Sequence, residues 1–405
     1  MNVALDAATY RHPLAPTAAS RAARIARITI FDNFSDAEPA WRRLEGQEAV
    51  YSPYQRFDWV SLWHRHVSPH RGTSPFLVTG FDALGEPLFL WPFARDRLGP
   101  LGVAFFFGDK HATINMALWR RDFAAGLDAS NLRSILNRVA QEKAGVDLLM
   151  LFNQPPGWNG IDNPFALLPN ARAGEDNFCL SMNGPGQDIL ATQLSGSMRS
   201  RLRNKERKLE RLEGYRYVRA ETPVEVDRFL DRFFVQKAAK LKAIGVPNVF
   251  AEPGIEAFLR ASCHCGLESG SPLIELHALE GGGELLALFS GLHDGRRFTS
   301  NFNSHTLSEH SRFSPGLILL QHLVAGCADR GFERFDIGPG EAGYKSFFCR
   351  EVEPIFDSIL PLSMRGKMAV LPMRIARWIR TEIKRSRLLW PLANAVRGLL
   401  QKPAS

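Results

Sequence analysis

Cysteine is scarce in this chain. The five present (Cys179, Cys263, Cys265, Cys327 and Cys349) are odd in number and irregularly spaced among 405 residues, which argues against a disulfide framework and for a reducing compartment, the cytoplasm. Cys263-His-Cys265-Gly offers one Cys-x-Cys with no second matched pair, too few ligands for a metal site of recognisable spacing, so no metal is expected. Long apolar runs are missing too. No stretch reaches the roughly 18 uncharged residues of a membrane span; Leu98 to Gly108 comes nearest and reads as buried strand. The N-terminal region has scattered Arg, Ala and Pro without the apolar core of a secretory signal. There is no Gly-x-Ser-x-Gly, no Walker loop and no His-Glu-x-x-His, which removes the commonest hydrolase, nucleotidase and metalloprotease readings. Acid is lacking in one place above all: between Arg365 and Lys402 ten Lys or Arg stand against Glu382 alone.

What is present is the composition of a globular protein with large cores: 45% hydrophobic and 23% charged residues, with 28 Phe and 8 Trp. The length suits two domains of about 150–200 residues each. The net charge of +8 suggests an anionic partner such as a nucleotide, a nucleic acid or a lipid headgroup, and the basic tail accounts for that surplus. Residues 1–25 read as a flexible lead-in, 26–180 as a first unit, 181–363 as a second and 364–405 as a tail.

Periodicity supplies the elements. A strand is expected at Ala26–Phe31, then a helix through "DAEPAWRRLEG". After Ser52-Pro53 the spacing of Phe57, Val60, Trp63 and Val67 predicts a second helix. Strands follow at "SPFLVTGFD", "EPLFLWPFARD" and "LGVAFFFGD", then a helix near Ser130–Lys143 and a strand "VDLLMLFN". A Gly-, Pro- and Asn-rich interval from Pro155 to about Gly186 marks the boundary region. Beyond it come helices at 186–213, 223–244 and near 253–268, strands "PLIELHALE", "ELLALFSGLHD" and "RRFTSNFNSH", another helix and the strand "FERFDIG".

The most informative stretch is "RFSPGLILLQHLVAGCADRGFERFDIGPGEAGYK", Arg312 to Lys345. Ser314 is suited to cap a helix, Pro315 to its first position, and Gly316 leaves the backbone open to approach. Leu317, Leu320, Val324 and Ala328 mark an apolar face, and Gly331 ends the helix in a left-handed cap. Free N–H groups and the dipole make such an N-terminus an anion site, although good capping is equally a structural device. Asp336 then sits at a strand exit before a Gly-rich loop leading to Glu341, Tyr344 and Lys345, either as reactive groups or as a turn whose Asp accepts backbone hydrogen bonds.

These residues carry a family likeness. The irregular polar strand end "NFNSHTLSEHSRF", Ser-Pro-Gly opening an apolar helix, and "G-x-x-x-x-D-x-G-x-G-x-x-x-Y-K" resemble the GNAT acetyltransferase superfamily in its CelD-like form, named after cellulose biosynthesis and related to the FemAB-type double-GNAT transferases. "YSPYQRFDWVSLWHRHV", "LFLWPFARD" with "FFFGD", and "SGSMRSRLRNKERKLERLEG" extend the resemblance over roughly Ala26 to Asp357. It implies an α/β fold of two tandem GNAT-like (acyl-CoA N-acyltransferase) domains with mixed central sheets, here followed by a basic amphipathic helical tail. It further implies N-acyl transfer from acetyl-CoA or another acyl-CoA to an amine, an amino sugar being one candidate acceptor, in bacterial polysaccharide or cell-envelope synthesis. Arg312, Ser314, Pro315 and Gly316 would face the CoA pyrophosphate. Asp336 would be base or orienter, Tyr344 the acid that protonates the leaving thiolate, and Lys345 a partner of phosphate or of Asp336. Asn301, Asn303 and Glu341 would bind polar substrate, with His305 or His310 as a further general base. The superfamily's Gln/Arg-x-x-Gly-x-Gly/Ala loop is not found; only Arg312 and Gly316 stand in its place.

Two other classes of function remain open at this level: a non-catalytic accessory protein of a glycan-synthesis complex at a membrane surface, and an aminoacyl-tRNA-dependent transferase. The helix Ser197–Leu212, with Arg199, Arg201, Arg203, Lys205, Arg207, Lys208 and Arg211, is either a solvated face or a seat for phosphates. It lacks the interleaved aromatics of base stacking, so tRNA ranks last. The tail places Arg374, Arg377, Arg380, Lys384 and Arg387 on one side and Ile375, Ile379 and Ile383 on the other, with a second run from Leu392. Such a helix lies on an anionic membrane surface, on the protein's own body or on another protein.

Overall fold

The computed structural model describes residues 25–46, 49–142, 145–340 and 343–385. The expected lead-in up to residue 24, Glu341 and the second amphipathic run from Leu392 lie outside the described residues. The fold is mixed α/β, built on two sheets. In the first, the main path runs Arg27–Phe31, Ser74–Phe81, Pro87–Leu98, Leu101–Phe106, Leu148–Gln154, Phe356–Pro361 and Ala171–Arg172. In the second, it runs Arg216–Arg219, Glu275–Gly281, Glu284–His293, Arg297–His305, Arg334–Pro339, Asn177–Ser181 and Glu351–Glu353. Hairpin-connected neighbours pair antiparallel, and each sheet has one parallel junction among the described residues: Leu101–Phe106 beside Leu148–Gln154, and Arg297–His305 beside Arg334–Pro339. The strands are continuous apolar runs because helices or loops cover both faces; Pro87 to Ala94 are all buried.

Sheet membership does not follow chain order. Asn177–Ser181, from the end of the first stretch, pairs with Arg334–Pro339 in the second sheet, and Phe356–Pro361, from the end of the second, pairs with Leu148–Gln154 in the first. Each half thus completes the other's ladder, covering a strand whose backbone groups would otherwise be unpaired. Where one helix was expected over 186–213 there are two, Gly186–Gln193 and Gly196–Leu209. The break has a local cause: Ser195 leaves helical geometry, and its Oγ accepts from Met198 N at 3.2 Å, capping a new start.

An aromatic seam joins the halves. Trp59 and Trp63 of the Phe57–His66 helix meet Phe258 of the Ile255–His264 helix edge-on at 5.2 and 5.0 Å between centroids. Cys263 is buried in the same core, as a packing residue of the Cys-His-Cys stretch. His64 stacks on Phe34 at 4.8 Å.

The C-terminal helix Met364–Arg385 turns its charge inward. Arg374 donates to Ile359 O at 2.8 Å; Arg377 donates to Asp357 at 2.6 Å and lies over the Phe152 ring at 3.6 Å. Met364, Met368, Leu371, Ile375 and Trp378, spaced alternately four and three apart, are left exposed. None of the described helices is long and apolar enough to cross a membrane.

Candidate functional site

The parallel strands of the second sheet touch only at their roots. Register exists for Arg297 with Arg334, Phe298 with Phe335 and Thr299 with Asp336, after which Arg297–His305 and Arg334–Pro339 part. The divergence has a visible origin. In the neighbouring Glu284–His293 strand, Ser290 stands opposite two residues, its Oγ accepting from Phe302 N and donating to Phe302 O, both at 2.9 Å. A bulge of this kind bends the strand that carries the extra residue. The result is a V-shaped opening with one strand on each side.

The root of the V is clamped by charge. Asp336 is completely buried; it accepts from Arg297 Nε at 2.6 Å and NH2 at 2.8 Å, from Thr299 Oγ1 at 3.0 Å and from Asn177 Nδ2 at 3.1 Å. Arg297 also donates to Glu353 at 2.6 Å and stacks on Trp158 of the first half at 4.1 Å. Burial works against the Arg297 charge, but Asp336 and Glu353 outweigh it and hold its pKa above the ordinary guanidinium value. With all of its hydrogen bonds directed into this network, Asp336 presents no free oxygen to an incoming amine. Its geometry is that of an orienting group. Cys179 lies close enough to Asp336 and Glu353 to suggest a metal trio. Burial, however, pushes its thiol up to about 12, Arg297 is paired with both carboxylates and Arg334 lies 3.8 Å from Glu353, so the cluster is an ion-pair network with a thiol beside it.

At the open end, the Pro315–Asp329 helix begins. Pro315 occupies its first turn as expected, and Gly331 ends it at φ 85°. Ser314 departs from expectation: it adopts the left-handed region at φ 56° and makes no side-chain capping bond. Its Oγ instead accepts from Lys205 Nζ at 2.7 Å. A non-glycine residue held there stores roughly 1–3 kcal/mol of strain, and the first-turn N–H groups are left without a side-chain cap. The helix is apolar nearly all round because the helices Gly186–Gln193 and Gly196–Leu209 cover it. Gly316 has room: a Cβ built there meets only His305 Cβ, at 3.8 Å. Arg312 is exposed, stacked on Phe313 at 4.8 Å and 3.5 Å from Glu309.

On the other arm, burial raises the Tyr344 pKa, and the neighbouring Asn303 side chain works against that rise. Lys345 is turned inward, its Nζ donating to Gly338 O at 3.1 Å and Pro339 O at 2.7 Å, so it braces the strand end and does not reach Asp336. Asn301 faces the first half, donating to Tyr54 OH at 3.2 Å and His111 O at 2.8 Å. The structure therefore sets Gly316, next to Ser314, against His305 and Tyr344 near Asn303, where the strands part, and holds Asp336 and Lys345 in its framework. His305 lies beside Lys240, with Nζ to Nε2 at 3.2 Å; burial first, then Lys240 and Lys237, lower its pKa. His310 is drawn away toward Glu284 at 3.6 Å. Arg297, Lys237 and Lys240 escaped assignment from sequence, and Lys205 was noted only as one of a basic helix, though the alternation Arg297, Thr299, Asn301, Asn303, His305 on an otherwise apolar strand was a signal.

Residues 196–346 match the family model described as the acetyltransferase (GNAT) domain. No curated protein sequence matches the chain. Among solved structures, FemX is similar at 9% identity with a TM-score of 0.53, over 80% of this chain and 96% of that one. A conserved protein of unknown function from Bacteroides thetaiotaomicron aligns at 12% identity and TM-score 0.49, over 82% of this chain and 100% of that one. A tandem GNAT protein from the clavulanic acid biosynthesis pathway aligns at 9% identity and TM-score 0.45, over 83% and 99% respectively. At these identities the FemX likeness speaks for the fold alone.

Removing one member of a buried ion pair strands the other. Arg297→Met is expected to destabilise the protein by about 3–5 kcal/mol, measured by urea unfolding, whereas exposed Arg312→Met should stay within ~0.5 kcal/mol.

Proposed function

We propose that the chain is an N-acyltransferase that moves an acyl group, acetyl first among candidates, from acyl-CoA to an amine acceptor. The observation that carries this reading is the parallel strand pair that parts after three residues, with an uncapped helix N-terminus opening at its mouth. The donor's arm would lie in the V along the unpaired edge of Arg297–His305. Its phosphates would meet the helix end at the Gly316 N–H, beside Ser314 and Pro315, the neighbouring Ser314 and Leu317 N–H groups already donating to Ser311 O and Ser314 O, with Lys205 and Arg312 nearby. The acceptor nitrogen attacks the thioester carbon: a C–N bond forms, the C–S bond breaks, the amine proton passes to a base and the thiolate takes a proton. Tyr344 is suited to give that last proton, since its raised pKa keeps the phenol protonated at neutral pH. His305, kept neutral by burial and two lysines, is suited to be the base; Asp336 then positions the strands and takes no proton. An acceptor from cell-envelope or polysaccharide synthesis, an amino sugar among them, remains the expectation drawn from resemblance.

The inverted tail helix supports a peripheral role for the same protein. With Arg374 and Arg377 turned to the body, the exposed stripe Met364, Met368, Leu371, Ile375 and Trp378, flanked by Lys367, suits the interface of an anionic bilayer. This would bring a cytoplasmic protein to the inner membrane face.

Three measurements test these readings. Calorimetric titration should show the wild type binding acetyl-CoA and CoA, and Gly316→Glu, which places a carboxylate at the helix end without a clash, losing both; absence of binding by the wild type at millimolar ligand would sink the donor assignment. In turnover assays Tyr344→Phe should cut kcat ~10²-fold with acetyl-CoA affinity unchanged. Because the His305 pKa is lowered, the base stays unprotonated until pH falls below about 6.5, so kcat/KM should decline only below that value and His305→Gln should remove the limb. Finally, the wild type should float with vesicles containing anionic phosphatidylglycerol and fail to with neutral phosphatidylcholine. Flotation that Ile375→Glu with Trp378→Glu leaves unchanged would end the membrane assignment.

A further inference from the structure

Lys237 and Lys240 stand one turn apart on the Pro223–Ala243 helix, facing the outer end of the Arg297–His305 strand. Lys237 is half-buried; its Nζ donates to Asn303 O at 2.9 Å and lies 5.3 Å from the Phe250 ring centre. Lys240 Nζ lies 3.2 Å from His305 Nε2. Neither lysine forms a salt bridge with a described carboxylate: the ion pairs of this helix involve Asp227, Arg228 and Asp231, farther toward its start. The acid on the adjoining strand, Glu284, is engaged with Thr306 at 3.0 Å, Ser308 at 2.9 Å and His310 at 3.6 Å. Two ammonium groups and an imidazole thus converge without a counter-charge, on the arm of the cleft whose far end adjoins Gly316 through His305. Burying positive charge beside a carbonyl and a ring, without an acid, is costly. That cost is reflected in the Lys237 pKa, lowered by burial and then by Lys240 to about 8. An anion entering the space would offset it.

We propose that Lys237 and Lys240, beside His305, form a seat for a phosphoryl group of a substrate at the mouth of the cleft, separate from the Pro315–Asp329 helix end. Two ammonium groups match the charge of a phosphate dianion, and their flexible stems reach a group of variable position. The seat deepens the acyl-transfer reading and rests on it for the identity of the ligand. The phosphoryl group belongs either to the donor or to a phosphorylated acceptor such as a nucleotide-linked amine.

The test uses inorganic pyrophosphate as probe, titrated calorimetrically into the full-length protein with and without saturating CoA. The wild type should bind it, and Lys237→Gln with Lys240→Gln should weaken binding at least tenfold. Lys240→Arg, which keeps the charge, should stay within about threefold. Thermal melts identify a double variant that fails to fold; in that case Lys240→Gln alone decides, with a loss of threefold or more expected. Pyrophosphate that binds alongside saturating CoA assigns the seat to the acceptor; pyrophosphate displaced by CoA, with CoA affinity also falling in the double variant, assigns it to the donor. Lysine-dependent pyrophosphate binding in a protein that does not bind CoA would keep the seat and remove the acyl-CoA reading. Affinity for pyrophosphate unchanged in folded variants, or no binding by the wild type, would overturn the seat.

Discussion

One guanidinium holds the architecture of the cleft together. Arg297 reaches Asp336 on the neighbouring parallel strand and Glu353 on a third strand, and lies flat on Trp158 of the first half. A parallel pair with only three residues in register has few backbone bonds with which to resist sliding, so side chains must fix it. The two-pronged Arg–carboxylate geometry does so, because both its direction and its distance are set. Fixing the root while the Ser290 bulge bends the outer part turns a sheet defect into a wedge of constant shape. Replacing the pair with apolar side chains could preserve stability, but it would surrender the angle between the strands.

Charge is sorted along this wedge. At the root and behind it, carboxylates are matched by arginines: Asp336 and Glu353 with Arg297, Glu275 with Arg330 at 2.6 Å. Toward the mouth the sorting reverses: Lys205 donates to Ser314 at a helix end that itself carries partial positive charge, and Lys237 and Lys240 stand at the outer end of the Arg297–His305 strand. Field lines from unmatched cations in a partly buried opening draw anions inward. Such an arrangement attracts anionic groups and repels a protonated amine more than a neutral one.

The element order was legible because periodicity is local. Pro315, the Phe57–Trp63 face and the Gly331 cap all sit where spacing placed them. What sequence could not carry is partnership. Asp336 reads as a free acid at a strand exit until Arg297, 39 residues earlier, is found to occupy it. Ser314 reads as a cap until its left-handed backbone turns the hydroxyl toward Lys205. The exchange of Asn177–Ser181 and Phe356–Pro361 between sheets depends on pairings across more than 150 residues, which no window detects. The tail shows the same limit: Arg374 and Arg377 do lie apart from Ile375 and Ile379, while the side chains of Arg380, Ile383, Lys384 and Arg387 lie outside the described residues, and which face turned inward depended on Asp357 and Phe152 on the first sheet.

The aromatic seam limits how substrates can enter. Trp59, Trp63 and Phe258 belong to one continuous buried cluster that includes residues from both halves, and Tyr54 OH reaches Ser300 O across it at 3.3 Å while accepting from Thr113 at 2.9 Å and Asn301 at 3.2 Å. Parting the halves would expose several large rings, each worth about 1.5–3 kcal/mol of burial, so a hinge through this seam is disfavoured. The mouth, where Asn303 and Tyr344 are neighbours on opposite arms, carries no such aromatic seam among the described residues. The lysines of the Pro223–Ala243 helix stand at this end of the strand, Lys237 donating to Asn303 O at 2.9 Å, and a partly buried ammonium group with no described carboxylate partner costs stability that only an entering anion would offset.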